Sequence, residues 1–262
     1  MKQENNSPLK VTYIGGPTVI IEIGNFKIMT DPTLDPEGTT VESKLLVEKK
    51  LSGPALIPHQ YIDAVLLSHD QHFDNLDNSG REFLKKVGIT LTTVEGAERL
   101  KGNAKGLEVN NYHTFETADG NSVKITATPA RHGPAGVEKI TGHVIGFHIA
   151  VSGNQSFEVY ITGDTVYYNK IEELATKIKP QYIFVHGGAV RPHGAFHITM
   201  STNDVVDTAA LFPGVPLIPL HTEGWTHYTE HNATLIEAFE MLGIKDRLHI
   251  LEPGKLTELP LN

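Results

Sequence analysis

The sequence predicts an α/β fold: a four-layer αββα sandwich in which two mixed β-sheets pack face to face, with helices on the outer faces. Short β-branched segments broken by glycine open the chain, and a second sheet-rich stretch fills its middle. The last third alternates helical and strand-like segments. Sheets of this kind bury one face against a partner layer, which favours packing of the two halves. No Pro/Ser-rich linker divides them, so residues 1–262 are predicted to form a single domain.

The first half begins with three strands and continues with strand-helix units. Residues 9–31 read KVTYIGG, TVIIEIG and FKIMTD, which is typical of an antiparallel meander. Residues 32–62 lack a clear period and predict a long loop with one short helix around residues 42–50. A buried strand, DAVLLS, then precedes a helix over residues 76–88 that ends at Gly88. ITLTTV and a short helix at GAERLKG complete this half.

The second half changes from strands to an alternation of helices and strands. The segments GLEV, NYHTFET, SVKITATPA, HVIGFHIAV and FEVYITGD predict mostly antiparallel sheet. Helices are then predicted at residues 170–178, 201–212 and 231–243. Between and after them lie the strands QYIFVHGG, VPLIPLH and RLHIL.

Composition excludes several kinds of function. The 262 residues contain 22 Lys and Arg against 31 Asp and Glu, a formal net charge of -9, which argues against nucleic acid as a partner. The chain has no cysteine, so a metal would have to bind His, Asp or Glu. The first residues are polar, and no apolar run approaches the ~18 residues of a membrane span. A cytoplasmic protein without a membrane partner is therefore expected.

Potential metal ligands follow apolar strands at four places. They are His69, His72 and Asp74 after AVLLS, His132 after KITATPAR, Asp164 after EVYITG, and His221 after PLIPL. A rigid sheet holds such residues while the adjacent loops stay open for substrate. For the first loop alone, a solvated helix start capped by Asp70, Asp74 and Asp77 is the alternative interpretation. The repetition at the other strand ends favours a metal site.

This order of residues resembles the metallo-β-lactamase superfamily, whose signature is H-x-H-x-D-H after a strand, followed by a later His, Asp and His. The segments TDPTLDP, SHDQHFDNLD, TPARHGP, YITGDT and PLH resemble in particular the branch of L-ascorbate-6-phosphate lactonase and predicted metal-dependent hydrolases. The resemblance implies one ion on His69, His72 and His132, and a second ion on Asp74, Asp164 and His221, with Asp164 bridging. Asp74 and Asp164 are then the candidates to hold the attacking water and take its proton.

The chain departs from this pattern at two places. SHDQHFDNLD has one extra residue before its aspartate, so either His69 or Asp70 fills the first ligand position; His69 is preferred because it ends the strand. Asn75 stands where the family normally has histidine, which is expected to weaken the second site. Asp70 and Asn75 are then expected to contact ligands rather than the metal. Gly15-Gly16-Pro17-Thr18 also replaces the usual Gly-His-Ala turn.

Other polar residues allow two interpretations each. Asp31 more simply accepts hydrogen bonds in the turn before Pro32, whereas the resemblance would make it orient a ligand histidine. The candidate substrate-binding residues are His197, Trp225, His227 and Arg131. Packing under a loop is an equal alternative for Trp225, and a surface salt bridge is the alternative for Arg131. For His186 and His193, a surface or turn position is at least as strongly expected as a functional one.

The expected activity is that of a metal-dependent hydrolase. The chain has no G-x-S-x-G motif and no P-loop, so a metal-bound hydroxide is the expected nucleophile. One or two divalent ions are expected, with zinc first and manganese, iron or nickel left open. The expected partner is a small, anionic or neutral substrate: a lactone, a cyclic ester or amide, or a phosphodiester. A nuclease of the same superfamily, a degenerate metal- or ligand-binding protein, and assembly into a homo-oligomer stay open as alternatives.

Overall fold

The computed structural model describes residues 7–42, 47–192, 194 and 196–261. Its strands are β1 (Leu9–Gly15), β2 (Thr18–Ile23), β3 (Phe26–Thr30), β4 (Thr40–Glu42), β5 (Val47–Lys49), β6 (Ala64–Leu66), β7 (Ile89–Thr92), β8 (Ala104–Gly106), β9 (Tyr112–Glu116), β10 (Asn121–Pro129), β11 (Ile145–Gly153), β12 (Phe157–Ile161), β13 (Tyr182–His186), β14 (Leu217–Leu220) and β15 (Leu256–Leu259). Its helices are α1 (Asn78–Leu84), α2 (Val94–Leu100), α3 (Glu138–Thr141), α4 (Asn169–Ala175), α5 (Thr202–Leu211) and α6 (Asn232–Met241). Within these ranges, no helix has the length and apolar character needed to cross a bilayer.

Two mixed sheets form the centre of the structure. The first has seven strands in the order β15-β1-β2-β3-β6-β7-β8, antiparallel from β15 to β3 and parallel from β3 to β8. The second has six strands in the order β14-β13-β12-β11-β10-β9. In this sheet β9 to β12 are antiparallel, whereas β12, β13 and β14 are parallel.

Three apolar layers hold the sheets and helices together. The main core lies between the sheets, where Val11 of the first sheet and Ile125 of the second belong to one buried cluster. Leu174 and Phe239, from α4 and α6, pack on the outer face of the second sheet. Leu84 of α1 packs on the outer face of the first sheet. The predicted αββα sandwich of two mixed sheets is thus confirmed.

Some element predictions are wrong. The helix expected around residues 42–50 is instead a hairpin of β4 and β5, with Thr40 opposite Lys49; residues 43–46 lie outside the described ranges. The RLHIL strand is reduced to a single bridge between Leu217 and Leu248. The last strand is β15, which pairs with β1 and was not predicted, and α3 was not predicted either. Pairing with distant segments decides these elements, and a local pattern does not contain that information.

Several strands point their carboxyl ends toward one edge of the sandwich. In the second sheet β10 runs in the same direction as β12, β13 and β14, because β11 between β10 and β12 is antiparallel to both. In the first sheet β3 and β6 are parallel neighbours. The loops that follow these strands contain the residues that the sequence singles out.

Candidate metal centre

The six predicted metal ligands lie together at this edge in two overlapping groups. In each group the donor atoms all lie within 4.8 Å of one another. The first group is His69, His72, His132 and Asp164, and the second is Asp74, Asp164 and His221. Asp164, which follows β12, belongs to both groups.

The first group consists mainly of imidazole nitrogens. His69 Nε2 and His132 Nε2 lie 3.2 Å and 3.0 Å, respectively, from His72 Nδ1. Donors around a tetrahedral zinc ion with Zn–N bonds of about 2.0–2.1 Å are about 3.3 Å apart, so this spacing is near that of a metal site. Ser68 Oγ lies 3.0 Å from His69 Nδ1, and His132 Nδ1 donates to the carbonyl of Ile198 at 2.8 Å. These contacts fix the rings with their Nε2 atoms facing the group.

The three histidines are neutral in the absence of metal. Burial and the neighbouring imidazoles lower the pKa of His69 well below its usual value and that of His72 to about 4. Burial also lowers the pKa of His132. A neutral imidazole is the form that binds a metal ion, so this group is ready to bind one at pH 7.

The second group contains two carboxylates and one imidazole. His221 Nε2 lies 2.9 Å from Asp74 Oδ2 and 3.4 Å from Asp164 Oδ2. Burial opposes protonation of His221, but the carboxylates of Asp164 and Asp74 raise its pKa to about 9. Burial would raise the pKa of Asp74 and Asp164, yet the imidazoles that face them hold both pKa values well below the usual range. Both carboxylates are therefore ionised, as metal ligands must be.

Two residues at the site have a left-handed backbone conformation. His221 has φ 60° and Asp31 has φ 26°. Such conformations cost about 1–3 kcal/mol for a residue other than glycine and cluster at functional sites. The amide of His221 donates to the carbonyl of Gly16 at 2.9 Å, so the Gly15-Gly16 turn supports a candidate ligand through its backbone.

Asn75, one of the residues expected to contact metal ligands, lies between the carboxylates of Asp74 and Asp164. With its Nδ2 toward them, Asn75 donates to Asp74 Oδ1 at 3.1 Å and to Asp164 Oδ2 at 3.2 Å. Asp31 accepts a hydrogen bond from the amide of Ser68 at 2.6 Å, which positions the start of the histidine loop. Asp70, in contrast, lies outside both groups.

The Asp70 carboxylate accepts a hydrogen bond from Arg99 Nε at 2.9 Å. The extra residue in the loop therefore leaves His69 in the cluster and turns Asp70 to the side. Asp77, the third candidate cap, accepts a hydrogen bond from the amide of Gly80 at 2.8 Å and does cap α1. The capping interpretation is therefore correct for Asp77, whereas His69 and Asp74 belong to the donor groups.

His186 occupies a position at the site that the sequence did not predict. The side chain is fully buried at the end of β13, and its Nδ1 lies 2.9 Å from Asp164 Oδ1. Its ring stacks on His221 with centroids 5.6 Å apart. The signal was present, because QYIFVH ends an apolar strand in a histidine as PLIPLH does. Of the two alternatives for His186, the surface position is wrong, because the side chain is buried.

Glu48, which the sequence did not predict as a site residue, lies beside Asp74 and His227. Glu48 of β5 is only 5% exposed, and its donor atom lies within 4.8 Å of those of Asp74 and His227. His227 Nε2 lies 2.7 Å from Asp74 Oδ2. Burial and the nearby Asp74 carboxylate raise the pKa of Glu48 to about 8. No sequence signal marked Glu48, because it belongs to the hairpin predicted as a helix.

The other predicted substrate-binding residues lie around the two groups. His197 Nε2 lies 2.6 Å from Asp204 Oδ2 at the start of α5. Trp225 is buried in an apolar cluster, as the packing interpretation requires. The Arg131 guanidinium lies 4.5 Å from the ring centroid of Tyr168. His193 lies outside the described residues.

The donor atoms surround a space of ionic size. A cavity of about 20 Å³ is lined by Glu48, His72, Asp74, His132, Asp164 and His227. About 10–15 Å³ is enough for one water molecule, so one or two small ions fit. Imidazole and carboxylate donors suit zinc, manganese, iron or nickel. The residues therefore fit divalent metal ions.

An αββα sandwich with histidines and carboxylates converging at one edge defines a metal-dependent enzyme of the metallo-β-lactamase type. The chain belongs to the beta-lactamase superfamily domain family, whose model matches residues 27–222. It is 25% identical over 260 residues to the UPF0173 protein YddR of Bacillus subtilis, covering 94% of this chain and 98% of that protein.

Solved structures share the fold at lower identity. An isothiocyanate hydrolase from Delia radicum gut bacteria is 21% identical with a TM-score of 0.80, covering 96% of this chain and 100% of that one. The metallo hydrolase Igni18 of Ignicoccus hospitalis is 18% identical with a TM-score of 0.71, covering 98% and 100%. The family and the donor cluster together support a metal-dependent hydrolase.

Proposed function

We propose that this protein hydrolyses a small molecule with two divalent metal ions, preferably zinc, bound at the edge of the sandwich. The observation that carries the proposal is the convergence of His69, His72 and His132, whose imidazole nitrogens meet at 3.0–3.2 Å beside ionised Asp164. We assign one ion to these three histidines and a second to Asp74, Asp164 and His221, with Asp164 shared.

The residues have distinct tasks in this proposal. A bound divalent ion polarises the substrate's electrophilic group and lowers the pKa of water to about 7. His186 holds one oxygen of Asp164, leaving the other toward His221. Asn75 steadies the Asp74 and Asp164 carboxylates through its amide. One of these two carboxylates orients the attacking water and accepts its proton.

A second, larger cavity lies next to the donor groups. About 380 Å³ in volume, it shares His132 with the small cavity and is also lined by Arg131, Val94 and Leu107. This volume suits a small ligand. The guanidinium of Arg131 offers a positive charge to an anionic substrate.

The proposed substrates are lactones, cyclic esters or amides, and phosphodiesters, of which a lactone fits the resemblance to the lactonase branch. The name of the isothiocyanate hydrolase with the same fold adds isothiocyanates, whose central carbon is also open to attack by water. A net charge of -9 disfavours long nucleic acids, so the proposed partner is a small metabolite.

Metal analysis and a substrate panel test the proposal. The purified protein is stripped with a chelator, reloaded separately with zinc, manganese, iron or nickel, and assayed on the four substrate classes. Turnover of at least one class, dependent on added metal, is expected. Retention of metal without turnover on any class would favour a binding protein without catalytic activity. Absence of metal binding would contradict the proposal altogether.

A further inference from the structure

The β4–β5 hairpin directs a carboxylate into the donor cluster. In β5 the side chains of Val47 and Lys49 are exposed, whereas Glu48 between them is buried. Alternating residues of a strand face opposite sides, so only Glu48 points inward. It lines the small cavity together with Asp74 and His227.

The strand that carries Glu48 is fastened to the segment that carries His227. The amide of Thr226 donates to the carbonyl of Lys49 at 3.0 Å, and the amide of Lys49 donates to Thr226 Oγ1 at 3.1 Å. The amide of Leu51 donates to the carbonyl of Gly224 at 2.8 Å. Glu48 and His227 therefore approach the cluster as one preorganised unit.

Within the described part of the chain, the buried carboxyl group of Glu48 is incompletely hydrogen-bonded. Among the described residues, its Oε2 atom has no hydrogen-bond partner, and neither does His227 Nδ1. The nearby ammonium of Lys50 instead contacts Asp77 at 3.0 Å. Two buried carboxyl groups that face each other, here Glu48 and Asp74, are unfavourable as a pair of carboxylates unless one is protonated or a cation lies between them, and a cation would satisfy both groups.

We infer that Glu48 and His227 act together with Asp74 as ligands of the second divalent ion. The inference rests on the proposed function and adds two ligands to it. The Glu48, Asp74 and His227 donors lie within 4.8 Å of one another, and Asp74 also belongs to the group with Asp164 and His221. One imidazole and two carboxylates are a donor set for zinc, manganese or iron.

Titration of the metal-free full-length protein with Co²⁺ tests the inference. Calorimetry and visible absorption spectroscopy monitor the binding of each ion. Wild type is expected to bind two ions per chain. Glu48→Gln keeps the shape of the side chain but removes its charge, and His227→Gln removes the imidazole. Each should keep the first ion and bind the second at least about tenfold more weakly, since even residues that only support a ligand contribute about 10–100-fold to metal affinity.

Glu42→Gln is the matched control, because Glu42 lies on the neighbouring strand of the same hairpin and is exposed. It should bind both ions as the wild type does. Circular dichroism and retention of the first ion establish that the variants fold. If Glu48→Gln fails to fold, Glu48→Asp, which keeps the charge but shortens its reach, should also weaken the second ion.

If Glu48→Gln or His227→Gln binds the second Co²⁺ ion as tightly as the wild type does, the inference is overturned. A wild type that never binds a second ion would overturn it as well. Neither result affects the first group, so metal-dependent turnover would still support a metal-dependent hydrolase. A wild type that never binds a second ion would reduce the proposed function to the ion on His69, His72 and His132. A wild type without any Co²⁺ binding would overturn both proposals.

Discussion

The two donor groups at the sandwich edge are built in different ways. The first depends on His69 and His132, which follow β6 and β10, together with His72 in the loop after β6. Two of its rings are oriented by contacts with Ser68 and Ile198. The second group is Asp74, Asp164 and His221, and our inference extends it with Glu48 from the β4–β5 hairpin and His227 from the loop after β14. Strand ends thus build the first group, whereas in our inference the β4–β5 hairpin and the loop after β14 complete the second.

The groups also differ in donor type. The first has three imidazoles and one carboxylate, whereas the second has two carboxylates and one imidazole. Our inference adds the carboxyl group of Glu48 and the imidazole of His227 to the second. Nitrogen donors bind first-row metals strongly, so the first group is expected to hold its ion more tightly. The second ion is expected to exchange more readily, and its affinity should depend on the hairpin.

The largest expected effect comes from His132→Ala. Loss of an imidazole whose Nε2 faces His72 at 3.0 Å should remove the first ion and lower activity by at least about 100-fold. Metal content, turnover and circular dichroism are measured together, and the fold should persist because His132 lies in a loop. His113→Ala is the control, since His113 lies on β9 beside Lys105. Full metal content in His132→Ala would contradict the assignment.

Asp164→Asn should lower activity much more than stability. Asp164 belongs to both groups, so loss of its charge weakens both ions, and at least about 100-fold lower turnover is expected. The metal-free protein should lose no more than about 3 kcal/mol of unfolding free energy, the range for a hydrogen bond to a charged group. Chemical denaturation and turnover are compared with Asp207→Asn, an exposed substitution on α5. Unchanged turnover on an identified substrate would count against a shared carboxylate.

The sequence predicts the members of both donor groups, but not Glu48, for a physical reason. An apolar strand that ends in a histidine or aspartate places that residue at a sheet edge, and both the strand and its end are local features. His69, His132, Asp164 and His221 all follow this rule. His186 follows it too, so its position at the end of β13 was within reach of the same argument.

Glu48 and β15 were beyond that reach. With three residues, β5 is too short for a period to be recognised. Its strand conformation depends on pairing with β4 and on the contact of Lys49 with Thr226, which is distant in the sequence. Likewise β15 exists through its pairing with β1, about the whole chain length away. The burial of Glu48 follows from these non-local contacts rather than from its neighbours in the sequence.

Metal removal should separate the two groups by stability. A ligand that binds only the folded state stabilises that state by about 2.7 kcal/mol when its free concentration is about 100 times its Kd. A weak chelator should first remove the second ion with a small fall in melting temperature, and a strong chelator should then remove the first with a larger fall. Calorimetry with parallel metal analysis measures both steps. Loss of both ions in one step would show that the groups bind metal cooperatively.

The smallest effect is expected at Asn75, and it depends on Glu48. From the sequence alone, Asn75→His should tighten the second site, because it adds the nitrogen ligand that the family has at this position. If Glu48 and His227 already complete that site, Asn75→His should change second-site Co²⁺ affinity in the wild type by less than about threefold. In Glu48→Gln the same substitution should raise it by about tenfold, because an added imidazole then replaces a missing ligand. Asn75 lies between Asp74 and Asp164, which is the side from which a histidine would reach the second group. Equal effects of Asn75→His in both backgrounds would mean that Glu48 and residue 75 act independently, and the second ion would then not depend on Glu48 of the β4–β5 hairpin.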